Sequence, residues 1–385
     1  MTTQLRNMLN NLASQDWWSR RETILRLIEH PENEYIGFLE NAIRNHEDAD
    51  VRNAAMEVYR ALGTRALPSL SSLLRDEDAE IRLFAVNVLQ QIGSGALPLL
   101  LSSIRDPDVN VRIASAEALG SAGNTGALAA LKTALDDEPW VGMAAVSAIG
   151  EIGGEGALEI LYDCLAGDTY REIAIATLKR CGTSASVNYL TSCFVHENLT
   201  ELTLRTIISI AEREKMRPHP EYFIGLVPQL IEMFGSCDRE TKQLALTALC
   251  WSEDIRGLSC LVEAARDEAL QEQAIEGLLK MGKRAVCSIV DELKDSEGNH
   301  RPILAKVLSM IADGKVLLQF WEDEDPEVRV EVALGLRPHE MERAAKALHM
   351  MLSDSCEEVR MAAQKSLDDA GDAPFLPQDP ADKGG

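Results

Sequence analysis

Aromatic side chains are scarce, 5% of 385 residues, although 46% of the chain is hydrophobic. Large rings therefore do not fill the interior, and Leu and Ala carry the apolar positions, as thin helical layers require. Basic residues are outnumbered, 38 Lys and Arg against 62 Asp and Glu, for a net charge of -24. Such a surface repels phosphate backbones and anionic lipid, because nucleic-acid affinity rests on Lys and Arg releasing counterions. The eight cysteines (Cys164, Cys181, Cys193, Cys237, Cys250, Cys260, Cys287, Cys356) include no CxxC pair, so no zinc spacing or disulfide framework is written in them. Reduced core thiols are expected, Cys181 among them, because it precedes Gly182 as Leu62 and Ile92 precede their glycines. No run of ~18 apolar residues stands out, and the opening MTTQLRNMLNNLASQDWW has no signal-type stretch, so a cytoplasmic protein off the membrane is expected. GxSxG and phosphate-loop motifs are missing too.

What the chain does have is a repeat. Val51-Arg52, Ile81-Arg82 and Val111-Arg112 recur every 30 residues, as do Gly63, Gly93, Gly123 and Gly153, and as do Asp48, Asp78 and Asp108. Fixed-period self-similarity marks an array of stacked units, each touching only its neighbours. Within a unit, Val51, Ala54, Ala55, Val58 and Leu62 share one helical face, and Ile81, Phe84, Ala85, Val88, Ile92 and then Val111, Ala114, Ser115, Ala118, Ala122 repeat it. The aspartates stand where a carboxylate caps a helix start. The glycines stand where a left-handed residue ends one, and Pro68 and Pro98 open the next helix. Further second helices are expected from Tyr170-Arg171 to Gly182, from Glu268 to Met281, from Asn299 to Ala312, and after Asp325-Pro326 and Val359-Arg360.

The sequence thus predicts an all-α protein of about twelve two-helix units, counted from Trp17 to Ala370. Residues 1–32 read as an atypical capping pair with Trp17 and Trp18 as a lid, 33–182 as regular repeats, and 183–252 as irregular repeats. The last of these contains a long polar connection from Arg213 to Pro220, read as a hinge or a change in curvature. Residues 253–371 read as a second regular set, and 372–385 as a disordered tail.

The pattern D-x-D/E-x-V-R at the second helix start, A-L-G or Q-I-G at its end and A-L-P opening the next unit resembles the HEAT-repeat family, in the short bacterial form called phycobilin-lyase-like. The resemblance is close from Asp48 to Gly153 and looser from Tyr170 to Gly182 and from Val328 to Gly371. It implies a right-handed α-solenoid whose second helices line a concave, protein-holding surface.

Three His-Glu pairs, His46-Glu47, His196-Glu197 and His339-Glu340, invite comparison with deoxyhypusine hydroxylase, whose His-Glu pairs lie just inside second helices and bind iron. Here the corresponding positions are Asn53-Ala54, Leu83-Phe84 and Ile113-Ala114, so no metal and no cofactor is expected. The glycine-rich Gly150–Gly156 follows a helix and reads as an interhelical turn. Arg52, Arg82 and Arg112 read as a ladder of charge-assisted bonds between units, with Asp50, Glu80 and Asp106 as neighbouring acids; the ladder stops at Gly142.

Beside that interruption lies the clearest functional signal. Leu83, Ile113 and Met143 share a phase opposite the buried stripe, and Trp140 replaces the polar Glu80 and Asn110 of earlier units. These four residues form a candidate partner-binding patch, since exposed apolar clusters mark interaction sites and Trp is enriched in binding hot spots. The competing expectation is that Trp140 folds down over the Ala-rich unit. Trp321, aligned with Ile104, is expected in the core.

The leading reading is a non-catalytic scaffold or adaptor that binds a protein partner, basic or helical, on its concave face, in a setting such as bacterial signalling. The alternative is a bilin-lyase-like enzyme subunit or chaperone. A nucleic-acid-binding role would need more than the cluster Arg213, Lys215, Arg217 and His219, which sits beside acids.

Overall fold

In a computed structural model, residues 3–12, 14, 16–29, 33–45, 49–194, 200–236, 238–295, 301–338 and 341–371 are described. Asp48, the three His-Glu pairs, Cys237 and the segment 372–385 lie outside them. The described residues hold twenty-four α-helices and no strand, and the helices follow one another as twelve pairs. The chain divides into two compact units, Met1–Tyr189 and Leu190–Gly385, the boundary falling within the helix Ser184–Phe194.

In the first unit the pairs are Thr3–Leu12 with Trp17–Glu29, Asn33–Asn45 with Ala49–Leu62, Leu67–Leu73 with Ala79–Ile92, Leu97–Ser103 with Val109–Ser121, Leu128–Ala134 with Pro139–Ile152, and Glu155–Leu165 with Arg171–Cys181. Local chemistry sets these limits. The Asp78 carboxylate accepts from the Glu80 N–H at 2.9 Å, and Asp108 accepts from Asn110 at 2.8 Å and from Val111 at 3.3 Å. Both thereby satisfy donors that a helix start leaves unpaired. Gly93 closes the preceding helix at a φ of 75°, a left-handed conformation that costs a side chain strain. The stripes of apolar residues are buried as their period requires, with Ile92, Ala114 and Ala122 half-buried at the edges. Second helices pack on second helices. At Gly120 the approach is so close that a Cβ would stand 2.7 Å from the Ala148 Cα.

In the second unit, Glu201–Arg213 is followed by Val227–Phe234 with Arg239–Ser252, Leu258–Ala264 with Gln271–Met281, Val286–Asp295 with Arg301–Ile311, Gly314–Leu317 with Pro326–Gly335, and Glu342–Met351 with Glu357–Gly371. Asp238 and Asp325 cap as Asp78 does, accepting from Thr241 at 2.7 Å and Glu327 at 2.9 Å. The connection after Arg213 is long. It turns at Lys215 with a φ of 51° and runs through two short 3-10 turns, Pro220–Tyr222 and Ile224–Leu226.

Four sequence expectations need correction. The stretch Ala79–Ser103 is, by length and composition alone, apolar enough to cross a membrane. It consists of two helices of successive repeats running on through the turn Gly93–Ala96, with Gly93 and Pro98 breaking the apolar run in the sequence. Cys181 is half-buried, with Thr177 and Gly150 beside it, and Cys193, Cys287 and Cys356 are also partly or fully exposed, leaving Cys164, Cys250 and Cys260 as the buried thiols among the described residues. Burial pushes the Cys250 thiol up to about 12. Trp321 is only half-buried, whereas Phe320, standing where Ser103 stands in an earlier repeat, is buried. Trp17 and Trp18 are exposed and pack edge to face on each other, with ring centroids 4.6 Å apart, so they do not close over the first pair as a lid.

Candidate functional site

The arginine ladder that frames the site is built from both backbone and side chains. Arg82 donates from Nε and Nη2 to the two Asp106 oxygens at 2.8 and 2.9 Å, and from Nη1 to the Asp76 and Glu77 carbonyls at 2.9 and 3.1 Å. Arg112 repeats this one unit on, gripping Asp137 at 2.8 and 3.0 Å and the Asp106 carbonyl at 2.9 Å. Arg329 does the same in the second unit with Asp354, at 2.8 Å on both oxygens, and with the Asp323 carbonyl at 2.7 Å. Each guanidinium thus pins the turn of its own repeat to the carboxylate of the next, the bidentate arrangement that its planar fork favours. These partners are Asp106, Asp137 and Asp354; Asp50 and Glu80, the other acids expected, do not serve Arg82 or Arg112. The Asp106 and Asp137 hydrogen bonds raise the arginine values further, and the Arg329 hydrogen bond holds Asp354 below the usual carboxylate range.

At Gly142 the ladder changes partner. The Tyr170 hydroxyl from the following repeat lies 2.0 Å from where a Gly142 Cβ would be, and it donates to the Leu135 carbonyl at 3.1 Å. A tyrosine hydroxyl thus fills the space that a side chain at position 142 would need.

Next to this splice, the second-helix face opens into a cleft of about 730 Å³. Its apolar lining is Val109, Ile113, Trp140, Met143, Ala144 and Ile173, with Gln90, Asn110, Ser121 and Ser147 among the polar groups. Trp140 is 68% exposed and Met143 38%, so Trp140 does not fold down over the alanines. Ile113 and Leu83 are half-buried, less open than their phase suggested. Leu83 does not line the cleft. The cleft is centred on the helices Val109–Ser121 and Pro139–Ile152, and of the helix Ala79–Ile92, which carries Leu83, only Gln90 reaches it.

The structure adds residues that phase reasoning passed over. Glu117, Glu138 and Glu151 line the cleft, and among the described residues no Lys or Arg does. Arg112 pairs with Glu138 at 3.2 Å, while Glu117 and Glu151 have no cationic partner among the described residues. Spacing could have found them, because Glu117 follows Ile113 by one helical turn and Glu151 follows Met143 by two. Elsewhere, the cluster around Arg217 is compensated: Arg217 donates to Glu253 at 2.9 Å and to the Cys250 carbonyl at 3.0 Å, and His219 faces Glu221 at 3.8 Å. Among the described residues no group of His, Cys, Asp and Glu is arranged to hold a metal.

Paired helices repeated end to end, without strands among the described residues, make this chain an α-solenoid. A profile of HEAT repeats matches residues 67–141, 97–179 and 314–378, so HEAT repeats are present in these stretches of the solenoid. HEAT-repeat solenoids commonly mediate protein interactions. No curated protein matches the sequence. Among solved structures, Kap121p is 13% identical, with 95% of this chain and 45% of that chain covered and a TM-score of 0.48, so the chain spans about half the length of Kap121p. An engineered protein is 16% identical over 97% of this chain and 100% of that one, with a TM-score of 0.32. Human deoxyhypusine hydroxylase in complex with glycerol is 19% identical over 80% of this chain and 97% of that one, with a TM-score of 0.29.

Proposed function

We propose that the protein is a non-catalytic scaffold or adaptor, and that a protein partner docks on the second-helix face at the cleft holding Trp140 and Met143. The observation that carries this reading is the exposure of Trp140, a large ring left in water beside Met143 and Ile113 although the repeat around it is closely packed. Exposed indole over an apolar floor is typical of a binding anchor, where burial by a partner is worth ~2 kcal/mol or more. The acids around it favour a partner with a basic surface and speed encounter with one.

The test compares the full chain with Trp140→Ala as bait in extracts of the native organism. A defined partner retained by the wild type and lost from the variant, with the helical circular dichroism unchanged, supports the reading. Identical retained sets refute it.

A further inference from the structure

The cleft also carries information about the order of groups along its occupant. The helix Pro139–Ile152 forms one wall, and Val109–Ser121 lies beside it with Gly120 against Ala148. Trp140 and Met143 lie in the first turns of that wall, Glu117 stands level with roughly its middle, and Glu151 stands at its far end. With Gly120 level with Ala148 and at ~1.5 Å of rise per residue, Glu117 falls about 3–8 Å and Glu151 about 12–16 Å beyond Met143 and Trp140. Glu138, at the near end, is already paired with Arg112. The uncompensated charge of the cleft is therefore displaced to one side of its apolar part.

We propose, building on the reading above, that the cleft takes a helical segment of a basic partner protein that carries one large apolar residue and two Lys or Arg residues one and two turns along the same face. On a helix these are positions i, i+4 and i+8, or i, i−4 and i−8 for the opposite chain direction, because residues four apart stack on one face. The apolar side chain covers Trp140 and Met143, and the two cations meet Glu117 and Glu151. Three glutamates and, among the described residues, no Lys or Arg in the lining select a cationic segment over an acidic one.

The experiment uses fluorescein-labelled synthetic helical peptides and the full chain, read by anisotropy. One pair of peptides has Leu at i with Lys at i+4 and i+8 or at i−4 and i−8. A matched pair of the same composition has the lysines moved two positions, onto the opposite face. At ~50 mM salt one of the facing-lysine peptides binds about three- to tenfold more tightly than its rotated counterpart, a preference that shrinks at ~0.5 M salt as the charges are screened. Glu117→Lys/Glu151→Lys abolishes the preference, and Trp140→Ala weakens all peptides. Equal binding of facing and rotated peptides, or binding by neither, overturns the inference. If equal binding is still lost in Trp140→Ala, the docking site survives and only its code is wrong.

Discussion

Replacing Asp106 by Ala separates the arginine ladder from ordinary surface pairing. Arg82 and Asp106 have side chains only 9% and 7% exposed and share two hydrogen bonds. Removing the carboxylate leaves a nearly buried guanidinium holding only the Asp76 and Glu77 carbonyls, and it also removes the acceptor of the Asp108 N–H at 2.9 Å. Breaking a fully buried pair costs ~3–5 kcal/mol; with the two carbonyls still in place, about 2–3 kcal/mol is expected. The control is Lys132→Ala, which removes the Lys132–Asp163 pair, 57% and 66% exposed, and is expected to leave the unfolding midpoint unchanged. Urea unfolding followed by circular dichroism reads the global effect. Hydrogen exchange over Ala79–Ile92 and Val109–Ser121 reads the local one, since an array opens unit by unit. Equal midpoints for the two variants would refute the claim that the ladder holds neighbouring repeats together.

Gly142→Ala drives a methyl group into the Tyr170 hydroxyl and is expected to cost about 1–3 kcal/mol, less when combined with Tyr170→Ala, as a thermodynamic cycle of melts would show. Gly93→Ala meets no neighbouring atom but must hold a φ of 75°, so a loss of about 1 kcal/mol from backbone strain alone is expected in urea titration. Trp140→Ala is expected to change stability by no more than about 0.5 kcal/mol, because the ring is largely in water. The Arg44 hydrogen bond lowers Asp76, and that of Arg329 lowers Asp354, below the ordinary value of 3.8. The stability these carboxylates contribute is therefore present above that pH and lost as pH falls through their folded values. Acid titration should show unfolding setting in below about pH 4, with a shallower loss in Asp354→Asn.

The fold was legible because each repeat writes the same instruction at several levels. Asp78 and Asp108 cap, Gly93 turns with positive φ, and the stripe from Ile81 to Val88 is buried. Where a level was silent, reading by period failed. Trp321 aligned with Ile104, yet it is only half-buried and the buried ring is Phe320 beside it, a difference in side-chain size that alignment does not register. The candidate patch was partly legible: Ile113, Trp140 and Met143 line one cleft, and Leu83 does not. Phase could place Leu83 on the right face but could not show how far along the repeats the cleft extends; of Leu83's helix only Gln90 reaches it. The contact of Tyr170 with Gly142 was unreadable, since it joins residues of different repeats and different chemistry.

The central claim, that partners dock at the second-helix cleft, is tested most directly by a photo-crosslinking residue at Met143, compared with one at Met350, which is 59% exposed on a first helix. The account predicts a discrete cross-linked adduct from position 143 in cells of the native organism, lost when Trp140→Ala is added, and none from position 350. Adducts of equal yield from both positions, or from position 350 alone, would contradict it.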